Sequence, residues 1–149
     1  MPRLALTRRS LALAALLGLP LGLGLETVRY GEGLSYLSDD PRACINCHVM
    51  REPYAAWEHG PHARHCTCND CHVPHDLIGR YTTKAVHGWR HSVGFTFDSF
   101  PEPIRARADS RAVVQENCAR CHQAALAKLP GGVATDCTHC HTSAGHGHR

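Results

Sequence analysis

Four copies of one five-residue pattern, Cys-x-x-Cys-His, govern what this chain can fold into. They stand at residues 44–48, 68–72, 118–122 and 137–141. Two thiols three positions apart lie on one face of a helical turn, where they can form thioethers with the two vinyl groups of a haem. The histidine that follows is then placed to ligate the iron. The pattern predicts covalent attachment of four haem c groups through Cys44 and Cys47, Cys68 and Cys71, Cys118 and Cys121, and Cys137 and Cys140. His72, His122 and His141 are the expected proximal ligands of the second, third and fourth haems.

Zinc is the competing use of paired cysteines, since the first two pairs and the last two pairs have zinc-ribbon spacing. A ribbon has no need of histidine directly after each second cysteine. At the histidine frequency of this chain, four such coincidences arise roughly once in ten thousand. Composition points the same way. After residue 40 the sequence is rich in His, Cys, Arg and Pro and poor in Ile, Leu and Val, so a chain of 149 residues lacks the apolar mass of an ordinary core. Four haems would supply it. The formal charge of +3 does not indicate a nucleic-acid partner, because haem propionates would offset it and pair with the many arginines. Cys66 is the ninth cysteine and falls outside the four pairs; a free buried thiol is its expected state.

The N-terminus carries Arg3, Arg8 and Arg9 ahead of an apolar run from Leu11 to Leu25, with no convincing small-x-small cleavage site after it. Extended through Val28, Leu34 and Leu37, the run predicts an uncleaved membrane helix from about Ser10 to Leu37, its arginines holding the N-terminus inside. The chain then divides into an anchor, residues 1–37, and a compact four-haem domain, residues 38–149, on the outer, periplasmic side of the inner membrane. Ser38-Asp39-Asp40-Pro41 starts a turn or helix. Residues 76–91 read as helical in part. Asp109-Ser110 predicts the cap of a helix running through the third motif to about Leu129, and Gly131-Gly132 a turn. The haem motifs fall as two groups, 44–91 and 110–149. The fold class is mainly α, in the irregular manner of multihaem cytochromes c. Trp89, Phe95, Phe97 and Phe100 form an aromatic cluster that either dips into the membrane interface or packs on haem faces.

The first motif differs from the others because Met50 follows it by two residues. Either His48 or Met50 can ligate the first iron, and a thioether raises haem potential relative to two imidazoles. Distal ligands must come from His59, His62, His65, His75, His87, His91, His139, His146 or His148.

The Cys-x-x-Cys-His-x-Met stretch at 44–50 and the short membrane segment before it, Cys-Asn-Asp-Cys-His-x-Pro-His at 68–75, Lys84-Ala85 with Gly88, and His146 five residues after the last motif histidine resemble the NapC/NirT-type membrane-anchored quinol dehydrogenases. Within that family the pattern is similar to the small tetrahaem subunits of cytochrome c nitrite reductase. The resemblance spans nearly the whole chain. It implies Met50 as the proximal ligand of the first haem, menaquinol bound beside that haem at the membrane, and Lys84 on the quinol oxygen. It implies His62 and His146 as distal ligands of the third and second haems, and a lysine of the partner on the fourth. The implied partners are the quinol pool and the catalytic subunit that reduces nitrite to ammonia. Where some members have an acidic residue seven positions after the lysine, this chain has His91. It either takes a proton from quinol or ligates the first iron. A quinol dehydrogenase serving another reductase, such as a nitrate reductase, and a soluble electron shuttle are the remaining readings.

Overall fold

The computed structural model describes residues 7–129 and 136–147. Arg3, the Gly131-Gly132 turn and His148 lie outside the described residues. The chain divides into two units between Ser35 and Tyr36.

The first unit is dominated by α1, Arg8–Tyr30. Thr7 caps it, its hydroxyl oxygen accepting from the Ser10 N–H at 3.2 Å. Leucine and alanine supply helix propensity. A run of 23 residues rises about 34 Å, enough to cross a hydrocarbon core of roughly 30 Å. α1 is the one described helix long and apolar enough to cross a membrane, and none of its residues is buried. It stops short of the expected Leu37. The Gly31 N–H closes the last turn on the Thr27 carbonyl at 2.9 Å, and Glu32 then takes a left-handed φ of 49°. At Gly33 a Cβ would come within 3.1 Å of Val28 Cγ1, so a larger residue would crowd Val28 where the chain turns. Gly33–Leu37 continues as a 3₁₀ segment.

The described part of the second unit is built from short helices and irregular turns. A 3₁₀ turn, Pro41–Asn46, is capped by Asp40, whose carboxylate accepts from the Arg42 N–H at 2.9 Å. A second, His48–Met50, leads into α2, Arg51–Glu58, and a third spans Pro61–Arg64. α3 is Cys68–His72 and α4 is Leu77–Thr96. α4 is longer than the sequence implied, because Asp76 caps it through the Gly79 N–H at 2.7 Å and nothing crowds its interior glycines, Gly88 and Gly94. α5, Ala108–Cys121, is followed by α6, Gln123–Leu126, and α7, Cys137–Cys140.

Two expectations for α5 change. Its N-cap is Arg107, without a side-chain cap. Asp109 lies in the first turn, where an acid favours the helix N-terminus, and there it binds Arg90 at 2.5 Å. The helix also does not run on to Leu129. His122 leaves helical geometry as soon as its N–H has closed on the Cys118 carbonyl.

Very little is enclosed by protein alone. Ala43, Pro53, Val73 and Asn117 are the buried residues among those described in the second unit, and none of the described side chains is fully buried. α3 packs on α5 through Asn117, whose amide donates to the Cys71 carbonyl at 3.1 Å and the Val73 carbonyl at 3.0 Å. Asn117→Ala leaves two carbonyls without a donor at the most enclosed point of the fold. A loss of about 1–3 kcal/mol is expected, read as a lower midpoint in thermal unfolding of the second unit.

Candidate haem and quinol sites

Each cysteine pair occupies its own turn, and three of the four turns are fixed by a polar cap just before them. Asp40 caps the turn holding Cys44. A capping box of Thr67 and Asp70 starts α3, which holds Cys68 and Cys71. Asp136 caps α7 through the Thr138 N–H at 3.0 Å, so Cys137 and Cys140 span a single turn. Cys118 and Cys121 form the last turn of α5 instead, with His122 as its C-cap. His72 closes α3, and His141 follows α7 as its C-cap.

The fold brings distant histidines face to face. His146 stacks on His72 with ring centres 5.7 Å apart, and His62 meets His122 edge-on at 6.2 Å. In both couples the incoming ring is oriented by its other nitrogen. His146 Nδ1 donates to the Pro53 carbonyl at 3.1 Å, and His62 Nδ1 donates to the Ala144 carbonyl at 2.9 Å. That turns Nε2 of each ring away from the carbonyl, and Nε2 is the nitrogen such a ring offers to a metal. Burial, with His146 and His87 nearby, lowers the His72 pKa to about 4, so its imidazole is neutral at physiological pH.

The thiols follow the order of the motifs. Cys44 and Cys68 are free thiols within hydrogen-bonding reach of each other, which lowers Cys44 to about 7 and raises its partner. Burial first, and then Cys66, push Cys71 up to about 12, and Cys71 also feels Cys118. Cys118 in turn neighbours Cys137. Motif two therefore lies beside motif three as well as motif one, a proximity that the long connector between them in sequence hides. Cys66 is half-buried against Cys71, with its thiol donating to the His62 carbonyl at 3.4 Å.

Lys84 is not a solvated surface lysine. Its side chain is 8% exposed, and its ammonium donates to the Leu37 carbonyl at 3.1 Å and the Ser38 carbonyl at 2.8 Å, with Asp39 Oδ1 at 3.4 Å. Asn69 donates to the Ser38 carbonyl and to Asp39 at 2.7 Å, and Arg80 pairs with Asp39. α3 and α4 thus clamp residues 37–39, immediately ahead of the first motif. Sequence reasoning missed Asp39 and Asn69; the only trace was the acidic turn before Pro41 and the Asn inside the second motif.

Arg80 and Asn69, with Lys84 behind them, hold the Asp39 carboxyl at about 2. A carboxyl kept ionised in the fold stabilises it at all pH above the unfolded value, and that stability fades as pH falls through about 4 towards 2. Asp39 is half-exposed, so solvent screening limits the effect to about 1 kcal/mol. Asp39→Asn is expected to lose this at neutral pH and to unfold with a shallower acid limb in a pH series of melting curves.

The remaining candidates separate clearly. His87 and His91, one turn apart on α4, have ring centres 6.0 Å apart, and His87 Nε2 lies 3.3 Å from the Ser110 hydroxyl. Partial desolvation lowers the pKa of His91. Met50 is half-buried at the start of α2, whereas His48 is exposed. His75 is held by Arg120 at 2.7 Å, and His59 bonds its own helix at the Ala55 carbonyl at 2.8 Å. His65 and His139 are exposed, and no imidazole faces His141 among the described residues. The aromatic cluster divides: Phe95 and Phe100 stack at 4.5 Å, while Trp89 and Phe97 stand exposed.

The residues present fit haem c. Both couples set two imidazoles from distant segments together, with ring centres 5.7 and 6.2 Å apart, beside a Cys-x-x-Cys turn, the donor set that would hold haem c. The indole Nε1 of Trp57 and the Nε of Arg80 are buried without an acceptor, and a propionate carboxylate is what such donors suit. A cleft of about 810 Å³ opens beside motif three, lined by Pro74, Asn117, Ala119, Leu126 and others. No group of three or more His, Cys, Asp or Glu converges on a bare-ion site among the described residues.

The NapC/NirT cytochrome c family, N-terminal region, matches residues 7–144. The cytochrome c-type protein NrfH of Wolinella succinogenes is 40% identical over 141 aligned residues, covering 85% of this chain and 80% of that protein. The cytochrome c nitrite reductase subunit NrfH of Nitratidesulfovibrio vulgaris is 32% identical, covering 87% and 80%. A chain in the crystal structure of the cytochrome c nitrite reductase NrfHA complex bound to the inhibitor HQNO superposes with a TM-score of 0.67 at 31% identity, over 89% of this chain and 90% of that one.

Proposed function

This chain belongs to the NapC/NirT cytochrome c family, and on that premise we propose that it is a membrane-anchored quinol dehydrogenase of the NrfH kind. It oxidises menaquinol and delivers electrons to the catalytic subunit of a periplasmic cytochrome c nitrite reductase. Residues 1–37 form the anchor and residues 38–149 the periplasmic part, with attachment sites grouped at 44–91 and 110–149. The observation that carries this reading is the pair of imidazole couples, His72 with His146 and His62 with His122. Each brings a motif histidine together with a distant histidine that is oriented by a backbone carbonyl, the pairing that would hold haem iron for electron transfer.

The eight paired cysteines hold four haem c groups, which supply one-electron chemistry between a two-electron donor and the partner enzyme. Met50 Sδ would hold the iron at the first motif. His141 would hold the iron at the fourth motif, together with a lysine of the partner. Lys84 meets the quinol oxygen by exchanging its longest contact, Asp39 Oδ1 at 3.4 Å, while both carbonyl bonds keep the ammonium in place. The cation then stabilises the oxyanion as quinol loses a proton. His91, neutral and seven residues along the same helix face, accepts that proton.

Lys84→Met and His91→Ala are expected to slow reduction of the purified protein by a menaquinol analogue on the order of 10- to 100-fold. Chemical reduction by dithionite should remain complete. Unchanged quinol rates in both variants would remove Lys84 and His91 from the site.

A further inference from the structure

α4 has two faces. At 100° per residue, Arg80, Lys84, His87 and His91 share one of them. That face is bound to the rest of the second unit, through Asp39, the carbonyls of Leu37 and Ser38, and Ser110. It is also the side on which His87 approaches the motif histidine His72. The opposite face carries Ile78, Tyr81, Ala85 and Trp89, spaced i, i+3, i+7 and i+11. Ile78 is 80% exposed, Trp89 72% and Tyr81 48%, with Leu77 beside them at 72%. This apolar stripe points away from both the clamp and the haem-ligating histidines.

We propose that the stripe of Ile78, Tyr81 and Trp89 lies in the lipid headgroup boundary, so that α4 runs along the membrane surface as an interfacial helix. The inference rests on the reading of α1 as a membrane anchor. Lipid is the occupant that chain length and residue type favour. α1 ends at Tyr30 and the clamp on α4 begins at Leu37. The few residues between them reach at most about 25–30 Å even when fully extended, and part of that segment is coiled into a 3₁₀ turn. α4 is therefore tethered close to where the chain leaves the bilayer. Tryptophan and tyrosine, with apolar bodies and one polar tip each, are the side chains that settle at that boundary. On the opposite face Arg80 stays paired with Asp39 and Lys84 keeps its bonds to the Leu37 and Ser38 carbonyls.

The test places a photoreactive residue in the full-length, haem-loaded protein, co-expressed with its reductase and irradiated in native membranes. Trp89→p-benzoylphenylalanine and Ile78→p-benzoylphenylalanine should each give a phospholipid adduct by mass spectrometry. Glu58→p-benzoylphenylalanine, on exposed α2, should give none. Leu19→p-benzoylphenylalanine in α1 reports the anchor independently. Lipid adducts at 19 but not at 78 or 89 overturn the interfacial helix and leave the anchor intact. Adducts at 78 and 89 with the reductase or with a second copy of this chain overturn it as well. Absence of lipid adducts at 19 removes the anchor and the proposal together. Haem content measured by the pyridine haemochrome method confirms that each variant has folded, and the two stripe positions back each other up.

Discussion

Replacing His146 with glycine is expected to convert about one haem in four from low-spin to high-spin, and imidazole added to the buffer should reverse the change. The physical basis is the His72–His146 couple at 5.7 Å, in which the Pro53 carbonyl holds His146 by Nδ1. Removing the side chain leaves its partner, His72, in place, so the haem stays attached but loses its sixth ligand. Exogenous imidazole can occupy the space, which a general unfolding of the C-terminal segment would not permit. His62→Gly should behave in the same way at the third attachment site. His75→Gly should not, because the His75 ring is committed to Arg120. Electron paramagnetic resonance of the purified, haem-loaded chain reads all three. Retention of every low-spin signal in His146→Gly would mean that the couple is a packing contact and nothing more.

Met50→Leu carries the second large effect. With sulfur removed, the neighbouring His48 is the only other ligand the first motif offers, and exchange of a thioether for an imidazole lowers haem potential. Axial ligands span a range of about 0.8 V overall, and a drop on the order of 0.1 V is expected here. That shifts the first electron-transfer equilibrium from quinol by roughly 50-fold against the protein, at about 59 mV per factor of ten. Redox titration should show one component moved down and the other three unchanged, and quinol-driven reduction should slow accordingly. An unmoved first component would assign the iron to His48 and leave Met50 as a half-buried packing residue at the start of α2.

Local chemistry was legible in the sequence because it depends on near neighbours. The turn start at Ser38-Asp39-Asp40-Pro41 is visible in Asp40, which caps the turn holding Cys44. The apolar run before it became α1 for reasons of composition alone. Its end was misjudged, since hydropathy continues through Leu34 and Leu37 while backbone geometry stops the helix at the Gly31-Glu32-Gly33 turn. The helix through the third motif was overextended for a related reason. Propensity favours continuation through Ala124 and Leu126, but His122 leaves the helix at once, so that its ring meets His62.

The role of Lys84 shows the opposite case. In the sequence only the family resemblance singled it out, as the lysine on the quinol oxygen. In the fold it is buried at the carbonyls of residues 37 and 38 and belongs first to the clamp around Asp39. No periodicity announces such a clamp, because its members come from the loop before the first motif, from α3 and from α4.

The sequence by itself determined that this chain carries four Cys-x-x-Cys-His motifs, that a membrane-length helix precedes them, and that the first motif alone is followed by methionine. Each of these follows from residues within one or two turns of each other, where spacing and geometry are the same thing. Only the tertiary structure decided which distant histidine faces which motif histidine, that the second motif sits beside the third, and that one face of α4 is bound while the other is bare. Those are outcomes of packing between segments far apart in the chain. With so little apolar core to enforce a single arrangement, side-chain hydrogen bonds of the kind made by Asn117, Asp39 and Lys84 join those segments, and one sequence window shows only one partner of each.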